Sequence, residues 1–445
     1  MTRLWLAVLF CTCCVPLARA QAPAAPATPR RLTLPGPAPA APGRPVAQLQ
    51  GRWSPRPRIT SGKNFSLELR ARLQNDGAWF NPVVDADDEG FTWRRRRLAV
   101  RGEFFNRVEF EVEREFGDDV EPWRDVWANV KAHDLLEVRG GKFKLPFGLD
   151  NSTSSVEHDF IFRSLGTRAL APGRDIGAML HGEADRRRFT YAIGVFDSDD
   201  RQVADADRFF DDDQGADSFG RTVSGRVTVQ PLDGVSSLPS GLRNLEIGAS
   251  GAWSEVAEGL NSFKGNSVFG YDYFERVWVN GDRVRTGLDV ALVSGPASLK
   301  AEWINASDER LGQGVDDGDL SNMFTRGWYV SGSWLVTGED KEDTVSPTRP
   351  LLQGGVGAIE VAARYERMLL GSSADASEPA FDNPRAENLK RNQDTVFTVG
   401  LSWYLNRWLK VQGNAIRESF DDPTRTPLDG TATYWSYVTR LQLAF

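Results

Sequence analysis

Apolar and polar residues alternate with a period of two along much of the chain beyond residue 59. In the segment 65–73 every odd position is apolar, and the even positions carry serine, glutamate and arginine. The segment 435–445 repeats the pattern with mainly aromatic and aliphatic odd positions. Successive side chains of a strand point to opposite faces, and helical periodicity is weak, so the pattern predicts an all-β protein.

The alternation predicts sixteen strands, and the links between them mostly alternate between short and long. Two links break this rule, because 117–122 is short on the long side and 337–357 is long on the short side. Short turns at one rim and long loops at the other are typical of membrane β-barrels. The predicted strands are 65–73, 91–104, 107–116, 123–132, 135–143, 175–183, 187–196, 220–230, 242–253, 283–293, 299–305, 327–336, 358–366, 395–404, 409–417 and 432–445.

The two faces of these strands favour a closed transmembrane barrel over a soluble set of β-sandwiches. Many positions on the polar face are Arg, Glu, Gln, Ser or Thr, which a dry sandwich core would not tolerate unpaired. Only a closed barrel satisfies the hydrogen bonds of a sheet within hydrocarbon. The terminal Phe445 on an aromatic-rich strand also resembles an assembly signal of outer-membrane barrels. We therefore predict a 16-stranded antiparallel transmembrane β-barrel over residues 59–445, with an inward-folded constriction loop.

The first twenty residues have the features of an export signal. Arg3 supplies the positive end, 4–17 the apolar segment, and Ala18-Arg19-Ala20 a small-x-small cleavage site. We expect this segment, 1–20, to be removed on the way to the outer membrane of a Gram-negative bacterium. All three cysteines of the chain lie within it, so the mature protein would have none: Cys11, Cys13 and Cys14.

Residues 21–58 are rich in alanine and proline and carry six arginines and no acidic residue. This composition cannot bury a core, and proline favours extended, semi-rigid chain. The segment is therefore expected to be a periplasmic tether, which could hold the barrel to the cell wall.

Composition excludes several other classes of protein. A mean hydropathy of −0.40 argues against a helical membrane bundle, and a net charge of −8 argues against a nucleic-acid-binding surface. Neither a metal-ligand cluster nor a nucleotide motif is apparent, so no cofactor is expected. A hydrolase remains an alternative, because Ser154 or Ser155 lies near Glu157 and His158 in the sequence. The simpler interpretation of His158 is a polar residue lining the barrel.

Several short motifs, in a consistent order from residue 60 to the end, resemble the phosphate-selective porin O/P family. The resemblance implies sixteen strands, homotrimers and passive movement of anions through each subunit. The motifs are WRRRRL at 93–98 followed by Gly102, GKFKLPFGL at 141–149, GRDIG at 173–177, GVF at 194–196, GP at 295–296 leading to AEW at 301–303, LVTGE at 335–339, and WYLN at 403–406.

The candidate anion path consists of basic residues expected to face the lumen or to lie in the link 144–174, here called the constriction loop. Guanidinium groups can replace part of an anion's hydration shell with paired hydrogen bonds. An equally open alternative is that these residues pair with acids on neighbouring strands and only hold the wall together, as Arg174 could with Asp175. The candidates are Arg95, Arg97, Arg101, Arg139, Lys144, Arg163, Arg168 and Arg174.

The solute is less sharply predicted than the charge of the path. Phosphate-selective relatives also use lysines in the constriction loop, but its interior from 145 to 175 has none here, and Asn151 and Val156 stand in that stretch. The sequence therefore predicts passage of small anions, with phosphate or polyphosphate-like oxyanions as candidate solutes. A structural barrel anchored to the cell wall is the alternative.

The acidic residues concentrate in three predicted loops. The loops 74–90, 197–219 and 306–326 carry net charges of −5, −7 and −3. Such loops keep a protein solvated, so they do not argue against an anion path inside the barrel. They could also bind divalent cations that bridge lipopolysaccharide, which together with outer-membrane lipid is an expected partner.

Overall fold

The computed structural model describes residues 49–53, 56–83, 89–117, 122–185, 187–198, 220–341, 344–374, 380, 383–428 and 430–445. The predicted signal peptide and most of the predicted tether lie outside these residues. The strands are β1 Leu49–Trp53, β2 Pro57–Ser61, β3 Phe65–Asn81, β4 Gly90–Phe104, β5 Val108–Glu115, β6 Trp123–His133, β7 Leu136–Lys144, β8 Arg174–Ala184, β9 Phe189–Phe196, β10 Thr222–Val229, β11 Glu246–Gly259, β12 Gly265–Asn266, β13 Asp272–Phe274, β14 Val279–Ser294, β15 Ala297–Arg310, β16 Leu320–Leu335, β17 Ala358–Ser372, β18 Asn392–Tyr404, β19 Leu409–Phe420 and β20 Thr433–Ala444.

Among the described residues, sixteen strands, β3–β11 and β14–β20, form one closed antiparallel barrel. Each strand pairs with the next along the chain, and β20 pairs with β3 to close the ring. Every predicted strand is present, so the prediction of a 16-stranded barrel is confirmed. Two strands were predicted too short, because β3 continues to Asn81 and β16 begins at Leu320.

The alternation of side chains sorts the barrel into an apolar outside and a polar inside. On β18, Val399 and Leu401 are 47% and 51% exposed, whereas the alternating Thr398 and Ser402 are buried. The outward positions are thus the lipid-compatible ones, as expected from a period of two. No helix in the described part of the chain is long and apolar enough to cross a membrane.

A short hairpin formed by β1 and β2 precedes the barrel. β2 pairs with the start of β3, where β20 has already ended, so the hairpin extends the sheet at this rim. The segment 21–58 was expected to be an extended periplasmic tether, but 49–53 and 57–58 lie in these strands. The sequence pattern did not predict β1 and β2, because each strand is only five residues long and both follow a long proline-rich run.

Three connecting segments fold against the interior of the barrel. The constriction loop carries two short helices, α1 Leu149–Ser152 and α2 Leu165–Leu170. Residues 260–278, here called the mouth loop, contain the small hairpin β12–β13. The turn 336–357 includes a 3-10 turn at Leu351–Gln353 and is the long link that broke the predicted alternation.

Two further short elements lie in connections at the rims. The helix α3, Ser240–Arg243, occupies the turn between β10 and β11. A 3-10 turn, Val315–Asp317, lies between β15 and β16.

Candidate functional site

The constriction loop crosses the lumen and is held by glutamates that point inward from the wall. Glu302 on β15 accepts hydrogen bonds from the backbone N–H of Leu149 (2.9 Å) and from the Thr167 hydroxyl (3.1 Å). Glu366 on β17 accepts the N–H of Leu165 at 2.7 Å. These N–H groups begin α1 and α2, where backbone donors lack partners within the helix. The carboxylates of Glu302 and Glu366 therefore bind the backbone of the constriction loop.

Lysines hold the middle of the constriction loop. Asp159 accepts from Lys300 of β15 at 3.0 Å and from Lys341 of the turn 336–357 at 2.5 Å. Lys341 also contacts Glu360. Lys410 of β19 donates to the carbonyl of Val156 at 2.9 Å. The loop is thus attached to β15, to β19 and to the turn between β16 and β17.

On the opposite side of the constriction loop, basic side chains converge from five segments. We call this group the cationic cluster. Its members come from β3, β4, the two ends of the constriction loop and the loop itself: Arg72, Arg95, Arg97, Lys144, Arg163 and Arg174. All except Arg72 belong to the predicted anion path, and Arg72 lies on the polar face of the alternating segment 65–73.

Arg163 is the member of this cluster that the constriction loop supplies. Its guanidinium donates to the carbonyl oxygens of Asp150 and Thr153, both at 3.1 Å. Burial lowers the pKa of Arg163 to about 10, and the positive charges of Arg174 and Arg97 act in the same direction. Arg163 therefore remains charged near neutral pH.

Some members of the cluster also form ion pairs across strands, as the structural alternative predicted. Arg97 pairs with Glu115 at 2.7 Å and more loosely with Glu113 at 3.5 Å. Arg174 pairs with Asp125 of β6 at 3.1 Å. The Asp175 carboxylate, considered as an alternative partner of Arg174, accepts from the backbone N–H and the hydroxyl of Ser198.

The remaining predicted residues lie outside the cationic cluster. Arg101 pairs with Glu109 at 2.8 Å. Arg139 stacks on the ring of Trp127, with 4.2 Å between guanidinium carbon and ring centre. Arg168 lies where the constriction loop meets the mouth loop and donates to the carbonyl of Val268 at 2.6 Å. The sequence predicted that these three arginines lie in the lumen, but only the fold shows that they lie apart from the cationic cluster.

A cavity of about 410 Å³ opens beside the cationic cluster toward the rim of short turns. Arg70, Arg72 and Arg97 line it, together with Glu111 and Glu113. Further lining residues are Ser154, Val156 and Glu157 of the constriction loop, and Arg407, Trp408 and Phe445 of the rim. Basic and acidic groups are therefore both present, with the constriction loop forming one side.

The mouth loop narrows the opposite end of the lumen, a feature that no pattern in the sequence predicted. The backbone N–H of Val268 donates to Glu418 of β19 at 2.6 Å. The Phe269 ring packs edge-on against Phe80 of β3 (4.8 Å) and Phe162 of the constriction loop (5.2 Å). The two inward loops therefore share one aromatic core.

The inward lysines were also missed. Lys300 and Lys410 could have been found, because each lies next to an outward apolar residue, Leu299 and Val411, in an alternating strand. No alternating pattern predicted the position of Lys341, because this residue lies in a turn and not in a strand. Its only clue was the unusual length of the link 337–357.

Ser155 and His158, two of the residues considered for hydrolysis, contact other groups. The Ser155 hydroxyl accepts from Arg72 at 3.0 Å, and His158 Nε2 lies 3.3 Å from the carbonyl of Thr153. Burial lowers the pKa of His158 well below its usual value, and the charge of Arg163 adds to this effect. Across the described ranges, no group of three or more His, Cys, Asp or Glu side chains is arranged to hold a metal ion.

Comparison with known proteins finds a matching family model and a similar protein. The model of a family described as phosphate-selective porin O and P matches residues 67–445. A protein of Caulobacter vibrioides, itself uncharacterised, is 25% identical over 370 residues, which span 75% of this chain and 69% of that protein.

Solved structures of low sequence identity share the fold. OmpT of Vibrio cholerae, described in a trimer form, superposes with a TM-score of 0.54 at 11% identity, covering 86% of this chain and 100% of that chain. An anion-selective porin from Comamonas acidovorans gives a TM-score of 0.51 at 17% identity, again covering 86% and 100%.

Proposed function

The chain belongs to the phosphate-selective porin O and P family, and on this basis we propose that it lets small anions diffuse passively across the outer membrane along an arginine-lined path. The path runs through the cationic cluster, past the constriction loop and into the cavity beside it. The protein acts as a channel and not as an enzyme.

One observation carries this proposal, namely that charge is divided unequally between the walls of the lumen. Glutamates of β15, β17 and β19 accept backbone N–H groups of the two inward loops. Arginines of β3 and β4 instead line the open cavity. The side chains that line this cavity include five arginines against three glutamates, so the field in the cavity favours anions.

The geometry also supports a physical account of selection. Low-dielectric walls strengthen the attraction between a guanidinium and an anion, and paired N–H groups can replace lost water. Ion pairs such as Arg97 with Glu115 moderate this attraction. Moderate binding suits a channel, because a solute must leave as well as enter.

Phosphate and polyphosphate-like oxyanions are the solutes we propose for this path. The interior of the constriction loop has no lysine, but Lys300, Lys341 and Lys410 approach the loop from the wall and the turn. These lysines are bound to loop acceptors, so the arginines of the cationic cluster would provide most of the contacts.

Reversal potentials in planar bilayers test the proposal. In a salt gradient the wild-type protein is expected to pass chloride in excess over potassium, and Arg163→Gln is expected to reduce this excess by several-fold. Arg107→Gln, an exposed arginine of the turn after β4, is the matched control and should leave selectivity unchanged. Cation preference in the wild type would contradict the proposal.

Several further properties are proposed from the sequence and the relatives. Residues 1–20 act as a cleaved export signal, and the proline-rich segment that follows acts as a periplasmic tether. The mature protein assembles as a homotrimer, a form also described for OmpT of Vibrio cholerae. Outer-membrane lipid and lipopolysaccharide surround it.

A further inference from the structure

Four arginines near the loop rim point away from the lumen, on neighbouring strands of the outer wall. Arg326 lies on β16, Arg367 on β17, Arg391 directly before β18, and Arg417 on β19. Arg326 occupies the same alternating face as Val330, which is 44% exposed on the lipid side. These four residues are called the outer arginine patch.

Three members of the patch lie at nearly the same height on the barrel. In the strand registers, Arg367 is two residues nearer the turn rim than Arg326, and Arg417 is two residues nearer than Arg367. Tilted strands keep a constant height by a stagger of roughly one residue per strand. The stagger has the same direction where the barrel closes. There Ala444, at the end of β20, pairs with Arg72, seven residues after the start of β3.

The side chains of the patch converge, although they carry the same charge. The guanidinium carbons of Arg326 and Arg391 lie 4.7 Å and 5.3 Å from the centre of the Phe324 ring, which is only 8% exposed. Such cation–π contacts hold the two arginines over an aromatic ring on the membrane side of the wall.

Within the described ranges, no member of the patch forms an ion pair with a carboxylate. Arg326 donates to the Asn305 side chain at 3.1 Å, and Arg367 donates to the Thr395 hydroxyl at 3.3 Å. Asp421, near the same rim, accepts from Gln393. The positive charge of the patch is therefore not neutralised by a described acidic side chain.

The surroundings of the patch place it at a membrane interface. Trp328 and Tyr365 follow Arg326 and Arg367 toward the barrel middle and pack against each other at 5.6 Å. Aromatic residues mark the boundary between hydrocarbon and headgroups in membrane barrels, and long loops mark the outer leaflet. The patch thus lies at the depth of the outer-leaflet headgroups.

We propose that the outer arginine patch binds the phosphate groups of lipopolysaccharide, the phosphorylated glycolipid of this leaflet. Guanidinium groups bind phosphate oxygens through paired hydrogen bonds, and several arginines can share the two phosphates of one glycolipid anchor. The acyl chains would lie along the apolar wall below the patch. This inference rests on the outer-membrane location of the barrel, but not on the anion path.

Binding of lipid A to the full-length protein in detergent, measured by native mass spectrometry, tests this inference. Wild type is expected to bind bis-phosphorylated lipid A at least about tenfold more tightly than a dephosphorylated form. The variant R326Q/R367Q/R391Q/R417Q should lose this preference. The control R107Q/R187Q/R349Q removes three exposed arginines of the turn rim and should keep it.

Two results would overturn the inference. One is equal affinity of wild type for the phosphorylated and dephosphorylated forms. The other is an affinity of the quadruple variant for lipid A equal to that of wild type. If that variant also lost its trimers, the patch would be a contact between subunits. Bilayer selectivity of the same variant should match wild type, because the patch faces away from the lumen, so failure of the anion path would be seen separately.

Discussion

At the scale of single residues, the lumen is organised by which partner each charged side chain finds. Glu302 and Glu366 accept backbone N–H groups of the constriction loop, whereas Arg97 pairs with glutamates of the next strand. Asp159 is the point at which two lysines from separate segments meet. These pairings decide which charges remain to act on a solute.

Asp159 predicts how the constriction loop responds to acid. Burial alone would raise the pKa of Asp159, but Lys300 and Lys341 outweigh it and lower the pKa from 3.8 to about 2. A depressed folded-state pKa stabilises the loop above pH 3.8, and this contribution is lost as the pH falls through about 2. The contribution of Asp159, measured as the difference in open-channel current noise between wild type and Asp159→Asn, should therefore stay constant from neutral pH to about pH 4 and vanish only in stronger acid.

The variant Asp159→Asn checks the cause of that response. It removes the charge that the two lysines hold, so the noise expected only in strong acid should already be present at neutral pH. Wild-type noise that rises between pH 6 and 4 would assign the transition to another group.

At the scale of elements, the two inward loops form one unit, because Phe269 of the mouth loop packs against Phe162 of the constriction loop. Arg168 adds a hydrogen bond between the same two segments. Both loops contain little regular structure, since α1 and α2 of the constriction loop have four and six residues, and β12 and β13 of the mouth loop have two and three. Packing between the loops and the wall supplies the rigidity.

Phe269→Ala is expected to loosen both loops. The ring is fully buried, so its removal costs about 3–5 kcal/mol of packing. We expect a larger single-channel conductance and faster proteolysis within residues 260–278, measured on protein reconstituted in lipid. Phe116→Ala, which truncates a ring that is 55% exposed, should change neither quantity.

At the scale of the whole molecule, the barrel is stabilised where its first and last strands meet. Arg440 of β20 and Asp76 of β3 are register partners, both essentially unexposed, and their side chains form a paired contact at 2.6–2.7 Å. The pair joins residues separated by 364 positions in the chain. Such a contact can form only when the ring closes.

Arg440→Met should therefore destabilise the closed barrel. It leaves the Asp76 carboxylate buried without its partner, which costs about 3–5 kcal/mol in comparable pairs. Equilibrium unfolding in urea, followed by tryptophan fluorescence of the lipid-reconstituted protein, measures the loss. The double variant D76N/R440M should regain part of the stability, and an equal loss in both variants would argue against the buried charge as the cause.

The prediction of the barrel succeeded because lipid outside and water inside impose a period of two on every strand. The prediction of Asp76 as a loop residue failed for a related reason: β3 continues to Asn81 through Gly77 and Ala78, where the alternation fades. The predicted arginines faced the lumen, but their partners, such as Asp125 for Arg174, lie far away in the sequence.

The sequence alone determined the number of strands, the face that each residue presents and the family of the chain. These properties depend on local alternation and on short motifs, which need no knowledge of distant contacts. The tertiary structure decided the rest, including the mouth loop, the place of Lys341 in the lumen and the division of the arginines into a cationic cluster and separate pairs. These features depend on which segments meet inside a closed ring, and that follows only from closure.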